Sequence, residues 1–112
     1  MEIIIHGRHL DVTEAIRNYV EKKASKLTKY SNRINKVQFT LKIEGQNHIS
    51  EAICSIAGTT LVAEAADADM YAAIDLGMDK LEKQLVRQRE KLKDHKGSKK
   101  GGEIAEGGEI AG

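Results

Sequence analysis

Residues 69–95, DMYAAIDLGMDKLEKQLVRQREKLKDH, decide how this chain is read, because one helix written over them carries three different faces. Tyr71, Ile74, Met78, Leu81, Leu85 and Leu92 recur at three- and four-residue spacing, so they stack on one side that must be buried. Lys80, Lys83, Arg87 and Lys91 keep the same period on the side roughly opposite, while Asp75, Asp79, Glu82 and Glu90 form a separate flank. A cationic stripe is ordinarily just a solvated face. A second helix of the same design changes that weighting.

That helix starts at Thr13, a residue able to cap its N-terminus, with Glu14 in the first turn to complement the helix dipole. Ile16, Tyr19, Val20, Ala24, Leu27 and Tyr30 make its apolar stripe, Lys22, Lys26 and Lys29 point away from it, and Arg33 follows just beyond. Before it, Glu2–Gly7 reads as a strand through Ile3, Ile4 and Ile5. After it, Val37, Phe39, Leu41 and Ile43 alternate with Lys36, Gln38, Thr40 and Lys42, the period of a strand with one buried face. Gly45, Gln46 and Asn47 turn into a strand over 50–57, with Ala52, Cys54 and Ile56 inward. Gly58, Thr59 and Thr60 lead to another over 61–65, with Leu61, Ala63 and Ala65 inward. Asp67 or Asp69 can cap the long helix, and no proline interrupts any element.

The order β-α-β-β-β-α predicts an α+β fold, a four-stranded sheet with both helices packed on one face and the other face open. The first helix crosses over between parallel strands one and two. With the helices side by side, their cationic stripes are expected to merge into one patch. Gly77 is out of place inside a helix, where it costs ~1 kcal/mol relative to Ala, and points to close packing or a bend.

At 112 residues the chain is one domain, expected over 1–96. Residues 97–112, GSKKGGEIAEGGEIAG, contain GGEIA twice and no sustained apolar period, which reads as a flexible Gly-rich tail. The net charge of +1 hides a strong separation: +5 over residues 1–43, −7 over 44–79, +6 over 80–100 and −3 beyond. Such a bipolar field attracts phosphate on one side despite the small sum. One Phe, three Tyr and no Trp leave little aromatic surface, which argues against an aromatic base-stacking sheet.

Catalysis needs a nucleophile beside a base, or paired carboxylates in a pocket, and neither pattern is present. His6, His9, His48 and His95 are scattered over different elements. Cys54, the single cysteine, alternates into the core face, so no intramolecular disulfide forms and no zinc spacing exists. The expectation is a non-enzymatic protein with no metal and no cofactor, in a reducing compartment, with no membrane association. What remains is the pair of cationic helices, whose Lys and Arg suit salt-sensitive contacts to the phosphates of structured RNA.

DMYAAID at 69–75 and DKLEKQL at 79–85, preceded by VTEAIRNYVEKKASKL at 12–27 and RINKV at 33–37, give the chain a specific resemblance. It resembles the ribosome hibernation promoting factor family, which includes the ribosome-associated inhibitor also called protein Y, over about residues 1–95, and is most like the short members. The resemblance implies a fold similar to the double-stranded-RNA-binding fold. It implies a cytoplasmic translation inhibitor that binds the small ribosomal subunit in the channel for messenger RNA and transfer RNA, and stabilises inactive ribosomes in stationary phase or stress. Family RNA contacts map onto Lys23, Lys26, Arg33, Lys80, Lys83, Arg87, Arg89, Lys91 and Lys93, while Lys22 and Lys29 are added by helical period alone. The implied partners are the small subunit and its ribosomal RNA, and a ribosome modulation partner for disome formation, with the chain a monomer off the ribosome. The additional dimerisation domain of long family members is missing from this sequence, so it is not expected to pair ribosomes by itself. Family members have also been described as modulators of an alternative sigma factor, and a duplex-RNA-binding module outside the ribosome is the third reading.

Overall fold

Four strands in sequential order, β1 (Glu2–Arg8), β2 (Ile34–Glu44), β3 (Asn47–Ile56) and β4 (Thr59–Asp67), form a single sheet. The computed structural model describes residues 1–93, the last three through their backbone alone. The expected tail, and His95 at the end of the quoted helix stretch, lie outside the described residues. β1 pairs parallel to β2, with Ile3 beside Val37 and Ile5 beside Phe39, and the other two pairings are antiparallel. The chain crosses from β1 to β2 through α1 (Glu14–Ser25) and a 3-10 turn at Lys26–Lys29, and α2 (Met70–Lys93) follows β4.

Both helix starts use the caps that the sequence offers. Thr13 accepts a hydrogen bond from the Ile16 N–H at 3.2 Å, and Asp69 Oδ2 accepts one from Ala72 at 3.3 Å. The first helix does not run on to Tyr30 as its apolar period suggests. Ser25 Oγ donates to Lys22 O at 2.9 Å and Thr28 Oγ1 donates to Ser25 O at 3.0 Å, so side-chain hydroxyls occupy carbonyls near the helix end and the last turn tightens.

The strands are longer than their apolar alternation indicates, because the ladders continue to two-residue turns whatever the side chains are. Gly45, at φ 63, opens the β2–β3 turn with Gln46. Ala57 and Gly58, at φ 48 and 80, form the β3–β4 turn, which places Thr59 and Thr60 in β4 instead of in the loop. Ile43, expected on the buried face, is 48% exposed, because it sits at the last turn of the β2–β3 hairpin.

One face of the sheet carries the core: Val37, Phe39, Leu41, Ala52, Cys54, Ile56 and Ala63 from the strands, Val20, Ala24 and Leu27 from α1 and its 3-10 turn, and Ala73, Ile74, Met78, Leu81 and Leu85 from α2. Small inward residues let α2 settle close to β3, and one tight point is at Gly77. A Cβ built there stands 2.7 Å from Ser50 Oγ, and that hydroxyl is already buried and donating to Ala73 O at 2.7 Å. Gly77 is therefore a packing residue, required by the helix-to-strand distance. Cys54 is fully buried in the same layer, and desolvation pushes its thiol up to about 11. Among the described residues no helix covers the opposite face, which mixes Ile4, Ile53 and Val62 with Gln38, Glu51 and Glu64.

At the outer margin of the sheet, Lys80 Nζ donates to Glu64 O and Gln84 Nε2 donates to Val62 O, both at 2.8 Å.

Candidate nucleic-acid interface

The two helices meet along a polar seam. Tyr19 Oη donates to Asp75 Oδ1 at 2.7 Å, and Lys23 Nζ lies 3.4 Å from the same oxygen and 5.5 Å from the Tyr19 ring centroid. Tyr71 meets Tyr19 edge-on, with centroids 5.0 Å apart and rings at 89°. Tyr71 thus belongs to the edge of the apolar face and is 37% exposed, where the spacing placed it among core residues. The hydrogen bond to Asp75 and then desolvation raise the Tyr19 phenol above its ordinary range, and the same carboxylate raises Lys23. Lys23, a candidate RNA contact, is in this way engaged by the neighbouring helix.

This seam orients the acidic flank of α2 toward α1, which corrects the expectation of one merged cationic patch. Lys23 and Lys26 share a groove with Asp75, Asp79 and Glu82. Past it, Asp79, Glu82 and Glu90 share a second groove with Lys83, Arg87 and Tyr30. The carboxylates therefore stand between two cationic ridges. Packing sets this order: with Ile74, Met78, Leu81 and Leu85 turned to the sheet, Asp75 and Glu82 follow on the α1 side, and Lys80 falls on the β4 side.

Of the candidate residues, Lys22, Lys26 and Lys29 are exposed on the first ridge, and Lys83 and Arg87 on the second. Lys80 is exposed but its ammonium is bonded to Glu64 O. Arg33 and Arg89 come together at one end of the molecule, in a third groove with Tyr30, Asn32 and Gln88. Lys91 and Lys93 extend α2 by backbone, and their side chains lie outside the described residues. Asn32 and Gln88 were not singled out by sequence reasoning, since an amide in a loop and one on a charged helix carry no periodic signal, and Tyr30 was read only as part of the apolar stripe of the first helix. Among the described residues no three His, Cys, Asp or Glu side chains group as a metal site, and no helix is long and apolar enough to cross a membrane.

Residues 3–93 match the family described as Sigma 54 modulation protein / S30EA ribosomal protein. The chain belongs to that family. It is 45% identical over 95 residues to the ribosome hibernation promoting factor of Salmonella typhimurium, an alignment covering 85% of this chain and 100% of that protein. Its fold is similar to that of a ribosomal subunit interface protein from Coxiella burnetii, with a TM-score of 0.77 and 31% identity over 80% of this chain and 99% of that one. It is also similar to the N-terminal domain of Protein Y from Thermus thermophilus, with a TM-score of 0.73 and 38% identity over 79% of this chain and 99% of that one. Both solved structures are thus similar in fold to the β-α-β-β-β-α sheet on which the ridges and grooves of this chain are mounted.

Proposed function

We propose that this chain is a ribosome-associated translation inhibitor. It binds the small ribosomal subunit in the channel for messenger RNA and transfer RNA, blocks initiation and stabilises inactive ribosomes in stationary phase or stress. The observation that carries this reading is the alignment that spans a ribosome hibernation promoting factor from end to end at 45% identity. The charge geometry supports it physically. Lys22, Lys26 and Lys29 on one ridge, Lys83 and Arg87 on the other, and Arg33 and Arg89 at the end present separate rows of cations to phosphates, while Asp79 and Glu82 repel a backbone from the groove between them. Lys80, Lys91 and Lys93 extend the second row by sequence, and Lys23 acts from the seam. Binding is a contact with ribosomal RNA in the cytoplasm and involves no bond-making step.

Sedimentation of the purified chain with small subunits on a sucrose gradient tests the reading. Co-migration that weakens steeply with salt is expected. The family description also names sigma 54 modulation, and binding to an isolated sigma factor or to free duplex RNA, without co-migration, would replace the ribosomal reading.

A further inference from the structure

The third groove differs from the other two in one respect: no carboxylate lines it. It lies where the chain passes from the 3-10 turn into β2, opposite the later turns of α2. Its floor is Ile56 and Leu85, which are 3% and 1% exposed. Tyr30, half-buried, walls one side and also borders the neighbouring groove. Around the rim, the exposed Asn32, Arg33 and Arg89 and the half-buried Gln88 complete the lining. Ser31 Oγ accepts from the Arg33 N–H at 3.0 Å and shapes the loop. Among the described residues, none of these four rim side chains has a hydrogen-bond or ion-pair partner.

The cavity encloses about 240 Å³, less than the ~300–1,000 Å³ of ordinary small-molecule sites. It therefore suits one planar ring, with the rest of the ligand left outside. An apolar floor with an aromatic wall takes a flat heterocycle, amides read a hydrogen-bonding edge, and two guanidinium groups at the mouth take a phosphate. An apolar side chain would leave the amides unused, and a bare anion would leave the floor unfilled. Resting on the ribosomal reading above, we infer that this cavity receives a single unpaired base of the contacted RNA, with that nucleotide's phosphate held between Arg33 and Arg89. One such pocket is compatible with the scarcity of aromatic residues, because it needs a single ring.

The full chain is bound to purified small subunits, and base reactivity is read with dimethyl sulfate and a carbodiimide, which together report on all four bases. Backbone contacts are read by hydroxyl radicals. The wild-type chain is expected to protect an unpaired base that the Asn32→Ala, Gln88→Ala double variant leaves reactive, with the backbone footprint retained and affinity lowered by about tenfold. Both positions lie on the surface, so folding is kept. Tyr30→Leu should expose the same base and weaken binding by about 5- to 150-fold. Lys83→Gln with Arg87→Gln should do the converse, weakening the backbone footprint while the base stays protected at saturation. Identical base protection by wild type and the Asn32, Gln88 variant overturns the pocket and leaves the ribosomal reading standing, and the same holds if the cavity takes a protein side chain. A wild-type chain that leaves no footprint on the subunit overturns both.

Discussion

Gly77 and Ser50 show how a single hydroxyl can dictate a residue on another element. Gly77→Ala alone drives a methyl group into Ser50 Oγ at 2.7 Å, and overpacking of this kind costs ~1–3 kcal/mol. With Ser50→Ala the nearest atoms become the backbone oxygen and Cβ of residue 50, 3.8 and 3.9 Å away, ordinary contacts, and alanine then adds ~1 kcal/mol of helix propensity over glycine. The double variant is therefore expected to unfold in urea close to wild type, and the single Gly77→Ala variant well below it, a coupling that identifies the contact. The oddity of Gly77 was visible in its helical context, but its partner was not, because nothing local marks Ser50 as the residue it packs against. Cys54 is simpler. Buried in the core with its thiol pushed up to about 11, it is expected to react with a thiol reagent far more slowly in native protein than in urea.

At the level of elements, the α1–α2 seam depends on protons. Tyr19, Lys23 and Cys54 all have raised values in the fold, so the native state holds more protons than the unfolded chain once pH passes the ordinary cysteine range. Stability is fully present below about pH 9 and falls as pH rises through the range where these groups titrate. Asp75→Asn keeps an acceptor for the Tyr19 hydroxyl but removes the charge. Tyrosine absorbance should then ionise at lower pH, while stability near neutrality changes by less than about 1 kcal/mol, as for other exposed ion pairs. The β3–β4 turn offers a gain instead. Ala57 at φ 48 pays for a left-handed backbone, and Ala57→Asn should stabilise the hairpin by ~1 kcal/mol, measured as a rise in Tm of about 4–8 °C. Element order and both caps were legible from spacing, because periodicity reports which side of an element is buried. The break at Ser25 and the position of this turn were not, since they depend on how hydroxyls and ladder ends compete for the same backbone groups.

Across the whole molecule, the long-range charge separation was readable from sequence, but its arrangement in space was not. A helical period fixes which residues share a face, and only packing against a neighbour fixes which way the remaining faces turn. That is why the acidic flank of α2 came to lie between the ridges. It follows that the ridges are separable: neutralising Lys22, Lys26 and Lys29 to Gln, or Lys83 and Arg87 to Gln, should each weaken small-subunit binding and flatten the slope of log affinity against log salt by up to about 0.7–0.9 per lost contact. Asp79→Asn with Glu82→Gln should strengthen binding, and an unchanged affinity in all three variants would remove the helices from the interface. The same packing has a topological consequence through Lys80 and Gln84. A sheet of this kind has two margins, β1 and β4, and molecules that join margin to margin need both in order to propagate. Among the described residues, α2 plugs the middle of one margin through these two contacts and leaves β1 to accept a foreign strand, so such joining is expected to stop at pairs.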